Sequence, residues 1–270
     1  MVENIHFFSG ANPGSLGHKI LAVNLSDLAS MGAKPIAVML ALTIPNVEER
    51  WLHEFAKGFL CLADRYSVDL IGGDTTSGPL TLTVQAMGIV PVGQALLRSD
   101  AKAGDLIYVT GQLGDAGLGL KIEQGYSLSN STVVLERFHQ PEPRVAAGLL
   151  LRQYANACID ISDGLTSDLG HILDKSNVGA TIIWERLPFS SEVLAYIEET
   201  SDWEMPLCTG DDYELCFTVS PEKKAIIESC LENIGIRYSK IGVINSKLGL
   251  TLEKSGRILE ITKKGFEHFI

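Results

Sequence analysis

The order of hydrophobic and polar residues changes its period several times along the first third of the chain. Between residues 48 and 66 the large apolar side chains fall at the spacing of one helical face, and between residues 80 and 90 they alternate with a period of two. A further apolar-rich segment, residues 19–31, ends just before Gly32, as a helix does. The pattern therefore predicts helices at 19–31 and 48–66 and strands at 36–42, 68–71 and 80–90, with the strand at 68–71 ending at Gly72 and Gly73.

A polar stretch without either period, residues 91–104, separates this part from the rest of the chain. We place a domain boundary there, with an N-terminal domain at 1–95 and a C-terminal domain at 96–270. Strands and helices are mixed on both sides, which predicts two domains of the α/β or α+β class. In the second part we expect a polar loop at 126–133, strands at 106–109, 181–184, 213–219, 241–244 and 249–253, and helices at 115–124, 144–154, 191–199 and 222–233.

Composition narrows the class of protein. The net charge is −11, and no basic run is longer than Lys263-Lys264, so we expect no nucleic-acid partner. No uninterrupted apolar run is long enough to cross a membrane. The five cysteines form no C-x-x-C pair, which favours free thiols in the reducing cytoplasm.

The segment ACIDISDGLTSDLGHIL, residues 157–173, carries the strongest candidate chemistry. Side chains alternate along a strand, so Asp160 and Ser162 point to the face opposite Ile159 and Ile161. Asp163 follows at the turn into a helix, so two carboxylates and a hydroxyl meet at one strand end. The alternative is that Asp163 is only a helix N-cap, which would leave Asp160 unexplained.

Three other segments place carboxylates at the ends of predicted elements. Gly73-Asp74 follows a short apolar strand, and Asp27 lies among apolar residues of a predicted helix. Asp211, Asp212 and Glu214 precede an apolar strand. Taken singly, these segments fit an ordinary turn, a solvated helix face and a charged turn.

Taken together, the four segments predict a single magnesium site. Two like charges 4 Å apart repel by about 4 kcal/mol at an effective dielectric constant of 20, so clustered carboxylates need cations among them. Oxygen ligands without His or Cys favour Mg²⁺, which commonly also binds nucleotide phosphates. The glycine-rich turn at 110–120 fits either a phosphate cradle or close helix packing. There is no P-loop or protein-kinase signature.

The segments NLSDLASMGAKP, LIGGDTTSGPLTLT, DISDGLTSDLGHI and GDDYELCFTV occur in this order, and KKGFEHF follows near the C-terminus. On these motifs the chain closely resembles the thiamine-monophosphate kinase family, which belongs to the PurM-like (aminoimidazole ribonucleotide synthetase) superfamily. The resemblance implies an N-terminal α/β domain and a C-terminal α+β domain. It also implies a cytoplasmic homodimer that uses ATP and several Mg²⁺ ions to convert thiamine phosphate to thiamine diphosphate.

The resemblance also implies roles for individual residues. Those expected to bind magnesium are Asp27, Asp74, Asp160 and Asp163; those expected to contact ATP are Gly73, Asp74, Arg98 and Ser162; and those expected to line the thiamine phosphate site are His6, Asp211 and Phe266. The position of Asp211 is often Glu in the family, and that of Phe266 is often Trp or Tyr.

Members of the family also begin with a further segment that carries a Gly-Asp-Asp metal motif and a Thr-Asp pair. The chain opens just after the position of that pair, so we expect it to lack several magnesium ligands and a first strand. The alternatives are another PurM-like enzyme that uses ATP, or a shortened nucleotide-binding protein without catalytic activity.

Overall fold

The structure, a computed structural model, describes residues 1–263 and 265, which form two β-sheets with helices packed against them. The first sheet has three strands in the order β2-β1-β3, with β2 parallel and β3 antiparallel to β1. The elements of this part are α1 (Pro13–Ser30), β1 (Lys34–Ile44), α2 (Glu49–Tyr66), β2 (Asp69–Ser77) and β3 (Thr81–Ile89).

The second sheet has seven strands in the order β10-β9-β6-β8-β4-β7-β5. Its strands are β4 (Leu106–Thr110), β5 (Ala157–Asp160), β6 (Gly179–Ile183), β7 (Leu215–Val219), β8 (Tyr238–Asn245), β9 (Gly249–Lys254) and β10 (Arg257–Leu259). The helices around it are α3 (Asp115–Glu123), α4 (Thr132–His139), α5 (Val145–Leu151), α6 (Leu165–Ser176), α7 (Ser191–Thr200), α8 (Met205–Cys208) and α9 (Lys224–Asn233). The predicted mixture of helices and strands in both parts of the chain is therefore confirmed. No helix of the described residues is long and apolar enough to span a membrane.

Helix α1 begins six residues earlier than the apolar pattern predicts, at Pro13. The side chain of Asn12 caps it by accepting a hydrogen bond from the backbone N–H of Ser15 at 3.0 Å, and Pro13 occupies the first turn. Gly32, at a φ of 66°, follows its end. The start of the helix is thus set by a capping signal, which the apolar spacing alone does not carry.

The described residues form two large hydrophobic cores and a smaller cluster between α3, α4 and α7. One extends from the first sheet to the second and contains residues on both sides of the predicted domain boundary, such as Leu21, Phe59 and Phe217. The other lies between the seven-stranded sheet and α6 and contains Ile159 and Ile172. The boundary between residues 95 and 96 falls in the connection from β3 to β4 and stays a prediction.

Strand β2 differs from its prediction because it continues through Gly72 and Gly73 to Ser77. Among the described residues it pairs with β1 alone, and the register shifts between Val38 and Met39, where Ile71 is the extra residue of a β-bulge. A Cβ at Gly73 would lie 1.8 Å from the carbonyl oxygen of Leu40, so glycine is needed there for the close approach of the two strands. The prediction that the strand ends at the two glycines is wrong.

The packing of α1 on α2 depends on glycine. A Cβ at Gly58 would lie 1.9 Å from the carbonyl oxygen of Gly14, and a Cβ at Gly17 would lie 2.1 Å from that of Phe55. The two helix backbones are therefore too close for any side chain between them.

Replacing Gly58 with alanine should destabilise the protein by about 2 kcal/mol or more, because the methyl group forces the helices apart. Gly170→Ala in α6 is the matched control, since nothing lies within 4 Å of its Cβ position and alanine favours a helix by about 1 kcal/mol. Urea unfolding followed by circular dichroism measures both. Equal stabilities for the two variants would contradict this account of the α1–α2 contact.

Candidate active site

A cavity of about 770 Å³ opens between α1, the first residues of the chain, β3 and the loops that flank β5 and β7. Four carboxylates from three separate segments line it, together with Ser162 and His6. These carboxylates belong to Asp27, Asp160, Asp163 and Asp211. Six of the ten different residues to which the sequence assigns a site role thus share one cavity.

Asp160 and Ser162 lie at and just after the end of β5 and line this cavity. Alternation along β5 puts Cys158 in the core beside α1 and Ile159 in the core beside α6, so Asp160 faces α1. There its Oδ2 accepts a hydrogen bond of 2.8 Å from Ser26 Oγ of α1. Burial raises the pKa of Asp160, while the Ser26 hydrogen bond and the nearby Arg98 charge oppose that shift.

Asp27 follows Ser26 on α1 and is exposed to the solvent of the cavity. The surrounding protein atoms and the Asp160 carboxylate raise its pKa to about 6, and the charge of Arg98 acts against them. Asp27 and Asp160 therefore lie close enough to repel each other. This arrangement favours a cation between them.

The turn between β5 and α6 is held by a carboxylate to which the sequence analysis gave no role. Asp168, in the first turn of α6, is 2 % exposed, and its Oδ2 accepts the N–H groups of Ser162 and Asp163 at 3.0 Å each. The residue at the N-cap is Gly164, so Asp163 is not the helix cap, and the N-cap interpretation of Asp163 is wrong. The sequence does carry one signal for Asp168, because an acidic residue in the first turn of a helix often binds backbone N–H groups there.

Burial raises the pKa of Asp168 to about 7, and the charges of Asp163 and Asp160 contribute to the rise. The two backbone N–H groups act in the opposite direction, because they stabilise the carboxylate. Asp168 thus fixes the backbone that presents Ser162 and Asp163 at a cost in electrostatic energy.

The loop before β7 adds Asp211 from the other side. The N–H of Asp211 donates to the carbonyl of Ser162 at 2.9 Å, and that of Tyr213 donates to Ile161 at 2.8 Å, so the loop extends the pairing of β5 with β7. Asp211 and Tyr213 have φ values of 63° and 49°, in the left-handed region. The backbone thus departs from a regular strand at the residue whose side chain faces the cavity.

The three acidic residues of this loop have different surroundings. Both oxygens of Asp212 accept the N–H of Gly114 at 3.0 Å, at the N-terminus of α3. Glu214 is 1 % exposed and accepts hydrogen bonds of 2.6 Å from Arg144 Nε and from Thr110 Oγ1. Only Asp211 lines the cavity, so the charged-turn interpretation holds for its two neighbours.

The glycine-rich turn at 110–120 is explained by packing. The carboxylate of Asp212 already occupies the N-terminus of α3, where a phosphate would bind. A Cβ at Gly114 would lie 2.3 Å from Pro206, and one at Gly119 would lie 2.5 Å from Phe138. The interpretation as a phosphate cradle is therefore wrong for this helix.

Gly73 and Asp74 are not among the residues that line the cavity. Asp74 lies on β2 in a row with Ala41 of β1 and Thr83 of β3, and Thr83 lines the cavity. Two strand spacings, about 10 Å, separate the backbone of Asp74 from that of Thr83. Asp74 is thus at the far edge of the sheet that forms one wall of the cavity.

The remaining predicted residues lie as follows. His6 lines the cavity, and its Nδ1 accepts the backbone N–H of Val2 at 3.0 Å. Arg98 does not line it, but its charge acts on the pKa of both Asp27 and Asp160. Phe266 lies outside the described residues.

Comparisons with known proteins identify the family. Residues 1–90 match the model of the AIR synthase related protein N-terminal domain, and residues 102–254 match that of the C-terminal domain. The thiamine-monophosphate kinase of Escherichia coli (strain K12) is 42% identical over 274 residues, which cover 100% of this chain and 84% of the relative. The chain belongs to the thiamine-monophosphate kinase family.

Solved structures of the family have the same fold. The thiamine-monophosphate kinase of Stenotrophomonas maltophilia K279a matches with a TM-score of 0.89 and 40% identity, over 96% of this chain and 84% of that one. AaThiL complexed with AMPPCP and TMP matches with a TM-score of 0.86 and 28% identity, over 100% and 85%. The predicted PurM-like architecture of two domains is therefore confirmed.

The carboxylates of this family member have the chemistry of a magnesium site. Asp27, Asp160 and Asp163 offer only oxygen donors. Desolvation and acidic neighbours raise the pKa values of Asp27 and Asp160, and a bound cation would lower these pKa values again. Within residues 1–263 and 265, no three His, Cys, Asp or Glu side chains are grouped closely enough to hold a metal ion by themselves. Mg²⁺ commonly takes one or two carboxylates and completes its coordination with water and phosphate oxygens, which these residues fit.

The raised pKa of Asp168 predicts a pH-dependent stability for the metal-free protein. The pKa of Asp168 is about 7 in the folded protein and 3.8 in the unfolded chain, so the folded state binds the proton more tightly. The stability gained from this proton is full below pH 3.8 and is lost as the pH rises to the folded value of about 7. Asp168→Asn removes this dependence and keeps an oxygen acceptor for the two N–H groups. The unfolding free energy of the variant minus that of wild type should be on the order of 2 kcal/mol larger at pH 8 than at pH 5.

Urea unfolding at the two pH values, with EDTA present, measures this difference. Asp174→Asn, on the exposed part of the same helix, is the control and should change stability equally at both. A gain for Asp168→Asn that is the same at pH 5 and pH 8 would contradict the burial of a charged carboxylate at this position.

Proposed function

We propose that this protein transfers the terminal phosphoryl group of ATP to thiamine phosphate and releases thiamine diphosphate and ADP. The observation that carries the proposal is the convergence of Asp27, Asp160 and Asp163 with Asp211 in one cavity of a chain from the thiamine-monophosphate kinase family. The ATP analogue AMPPCP and TMP in the AaThiL complex, which has the same fold, support it.

The chemistry suits a site without a general base. A phosphate monoester has a second pKa near 6, so the acceptor phosphate of thiamine phosphate is mostly a dianion at neutral pH and already nucleophilic. The barrier that remains is the repulsion between this dianion and the triphosphate of ATP. Mg²⁺ ions bound by the carboxylates would neutralise part of this charge and orient the phosphates for in-line transfer.

The roles of individual residues follow from this chemistry. Asp27, Asp160 and Asp163 hold Mg²⁺, with Asp74 as a further ligand at the sheet edge, and Arg98 and Ser162 contact the phosphates of ATP. A nucleotide that extends from the cavity along the row from Thr83 to Asp74 would reach Gly73 and Asp74. The positions of Arg98 near Asp27 and Asp160 support this arrangement.

His6, Asp211 and Phe266 bind the organic part of thiamine phosphate. The thiazolium ring is a cation, which a carboxylate and an aromatic face both attract. Tyr213 and Phe138 line the same cavity as Asp211 and provide aromatic surface near it.

The reaction is tested with purified protein, ATP, Mg²⁺ and thiamine phosphate, with thiamine diphosphate and ADP separated by chromatography. Wild type should form both in equal amounts. Asp160→Asn should lower kcat by about a hundredfold or more, because it removes a carboxylate that would hold the Mg²⁺ needed to offset the charge of the phosphates. Asp69→Asn, on exposed β2, is the control and should retain activity. Absence of thiamine diphosphate above a protein-free blank would overturn the proposal.

We further propose that the protein is a homodimer formed through β2, the edge strand of the first sheet. Strand β2 is an edge strand in which all nine residues are exposed, and the backbone groups along an edge strand can pair with another strand. Apolar side chains continue on the exposed surface around it, including Ile36 at 40%, Leu70 at 43% and Ile71 at 60% exposure. A second copy of the chain would cover both features.

Ile71→Lys should convert the dimer to a monomer, because a lysine at the edge strand introduces a charge that must be desolvated in the interface. Sedimentation velocity gives the mass of each species. Val92→Lys, in the connection after β3, is the control for an added surface charge and should leave the dimer intact. A wild-type protein that sediments as a monomer at micromolar concentration would refute the dimer, while the kinase assay remains valid.

A further inference from the structure

Lys19 is a buried ammonium group beside the candidate site, and the family resemblance assigns it no role. It lies on α1, is 5% exposed, and its Nζ is 2.7 Å from Asp211 Oδ2. The same Nζ lies 4.0 Å from the centroid of the Phe138 ring. The lysine is thus held by the loop before β7 and by α4.

A lysine at this buried position costs desolvation free energy. Its neighbours on α1, Leu16 and Ile20, are buried apolar residues, and an apolar side chain at position 19 would avoid the desolvation of a charge. A buried ion pair seldom stabilises a fold more than apolar packing does. The pair therefore calls for an explanation in the function of the cavity.

The hydrogen bond from the lysine helps to fix the orientation of the Asp211 carboxylate in the cavity. Oδ2 of Asp211 accepts from Lys19, and Oδ1 accepts from the Tyr213 hydroxyl at 2.9 Å. Both carboxylate oxygens are engaged from the protein side, while the side chain stays 31% exposed. The carboxylate is thus fixed in orientation, and its charge is balanced by a cation that belongs to the chain.

The other carboxylates of the cavity have different partners. Asp27 and Asp160 are influenced by Arg98 and by each other, and Asp160 receives a hydrogen bond from Ser26. The lysine ion pair separates Asp211 from this group. The four carboxylates of the cavity thus differ in their partners, with a lysine at Asp211 and a serine hydroxyl and an arginine charge at Asp160.

We propose that Lys19 is a positioning residue that withholds Asp211 from divalent cations and orients it toward the cationic ring of the substrate. This inference rests on the proposed function, because it takes the substrate to be a phosphate ester with a cationic ring. Without Lys19, Asp211 would be an unbalanced carboxylate among three others. It would then bind a further divalent cation where the substrate ring belongs.

The experiment counts bound Mn²⁺, a spectroscopic substitute for Mg²⁺, on nucleotide-free protein by electron paramagnetic resonance. Lys19→Met, which keeps the length of the side chain without its charge, should bind one more Mn²⁺ than wild type. The double variant with Asp211→Asn should return to the wild-type number. Lys34→Met, which removes an exposed lysine on β1, is the matched control and should leave the number unchanged.

Kinetics provide a second measurement. In Lys19→Met the KM for thiamine phosphate should rise by about tenfold or more because Asp211 is no longer oriented, while the KM for ATP stays within about twofold. Excess Mn²⁺ should compete with thiamine phosphate in this variant. Lys19→Arg should restore most of the affinity, since it returns a cation to the ion pair.

Asp211→Asn alone keeps the inference testable if Lys19→Met does not fold. With Lys19 in place, Asp211 holds no metal, so this variant should bind as many Mn²⁺ ions as wild type, whereas Asp160→Asn should bind fewer. Loss of a bound Mn²⁺ in Asp211→Asn, or an unchanged count in folded Lys19→Met, overturns the inference. Wild type that binds Mn²⁺ as expected but does not phosphorylate thiamine phosphate would refute the proposed function and leave the metal counts interpretable.

Discussion

The candidate site depends on one helix, α1, that is fixed on both sides by close backbone contact. On one side Gly17 and Gly58 bring α1 against α2, and on the other a Cβ at Gly148 of α5 would lie 2.1 Å from the carbonyl oxygen of Ala29. The hydrogen bond from Ser26 to Asp160 then joins residues that are 134 positions apart in the chain. Because these contacts hold α1 against both parts, Asp27, the one carboxylate that α1 carries, keeps a fixed distance from those at the end of β5.

This rigidity concentrates negative charge in a protein that already has a net charge of −11. Partial desolvation and the Asp160 carboxylate raise the pKa of Asp27 to about 6, and burial raises that of Asp168 to about 7. The ionised forms of these two acids therefore oppose folding near neutral pH. The fold tolerates this because the acids sit at the ends of β5, α1 and the β7 loop, where backbone N–H groups and Arg98 offset part of the repulsion. A site for metal ions and two polyanionic substrates needs such residual charge, because acids fully neutralised by protein cations would attract no metal.

Sequence patterns predicted most elements because the apolar spacing of each is local. They also brought Asp27, Asp160, Asp163 and Asp211 into one proposed site, since a carboxylate at the end of an element is easily recognised among apolar residues. They did not reveal the role of Asp168, because its place in the first turn of a helix is visible in the sequence but its backbone N–H partners are not. They also failed to separate Asp211 from Asp212 and Glu214, because these three acids lie in one short segment and differ only in their tertiary partners.

The direction of the Asp74 side chain on β2 depends on the β-bulge that precedes the Gly-Gly-Asp motif. Up to Leu70, which pairs with Val38, the strand is in one register, and the extra residue Ile71 then shifts every later side chain by one. Without the bulge, Asp74 would share a face with buried Val38 and Leu42, where a carboxylate has no partner. With it, Asp74 shares the outer face with exposed Ala41 and Thr83, and Gly73 falls where β1 leaves no room for a Cβ. The Gly-Gly-Asp sequence thus serves strand geometry first, and the same geometry turns Asp74 toward the sheet face that leads to the cavity.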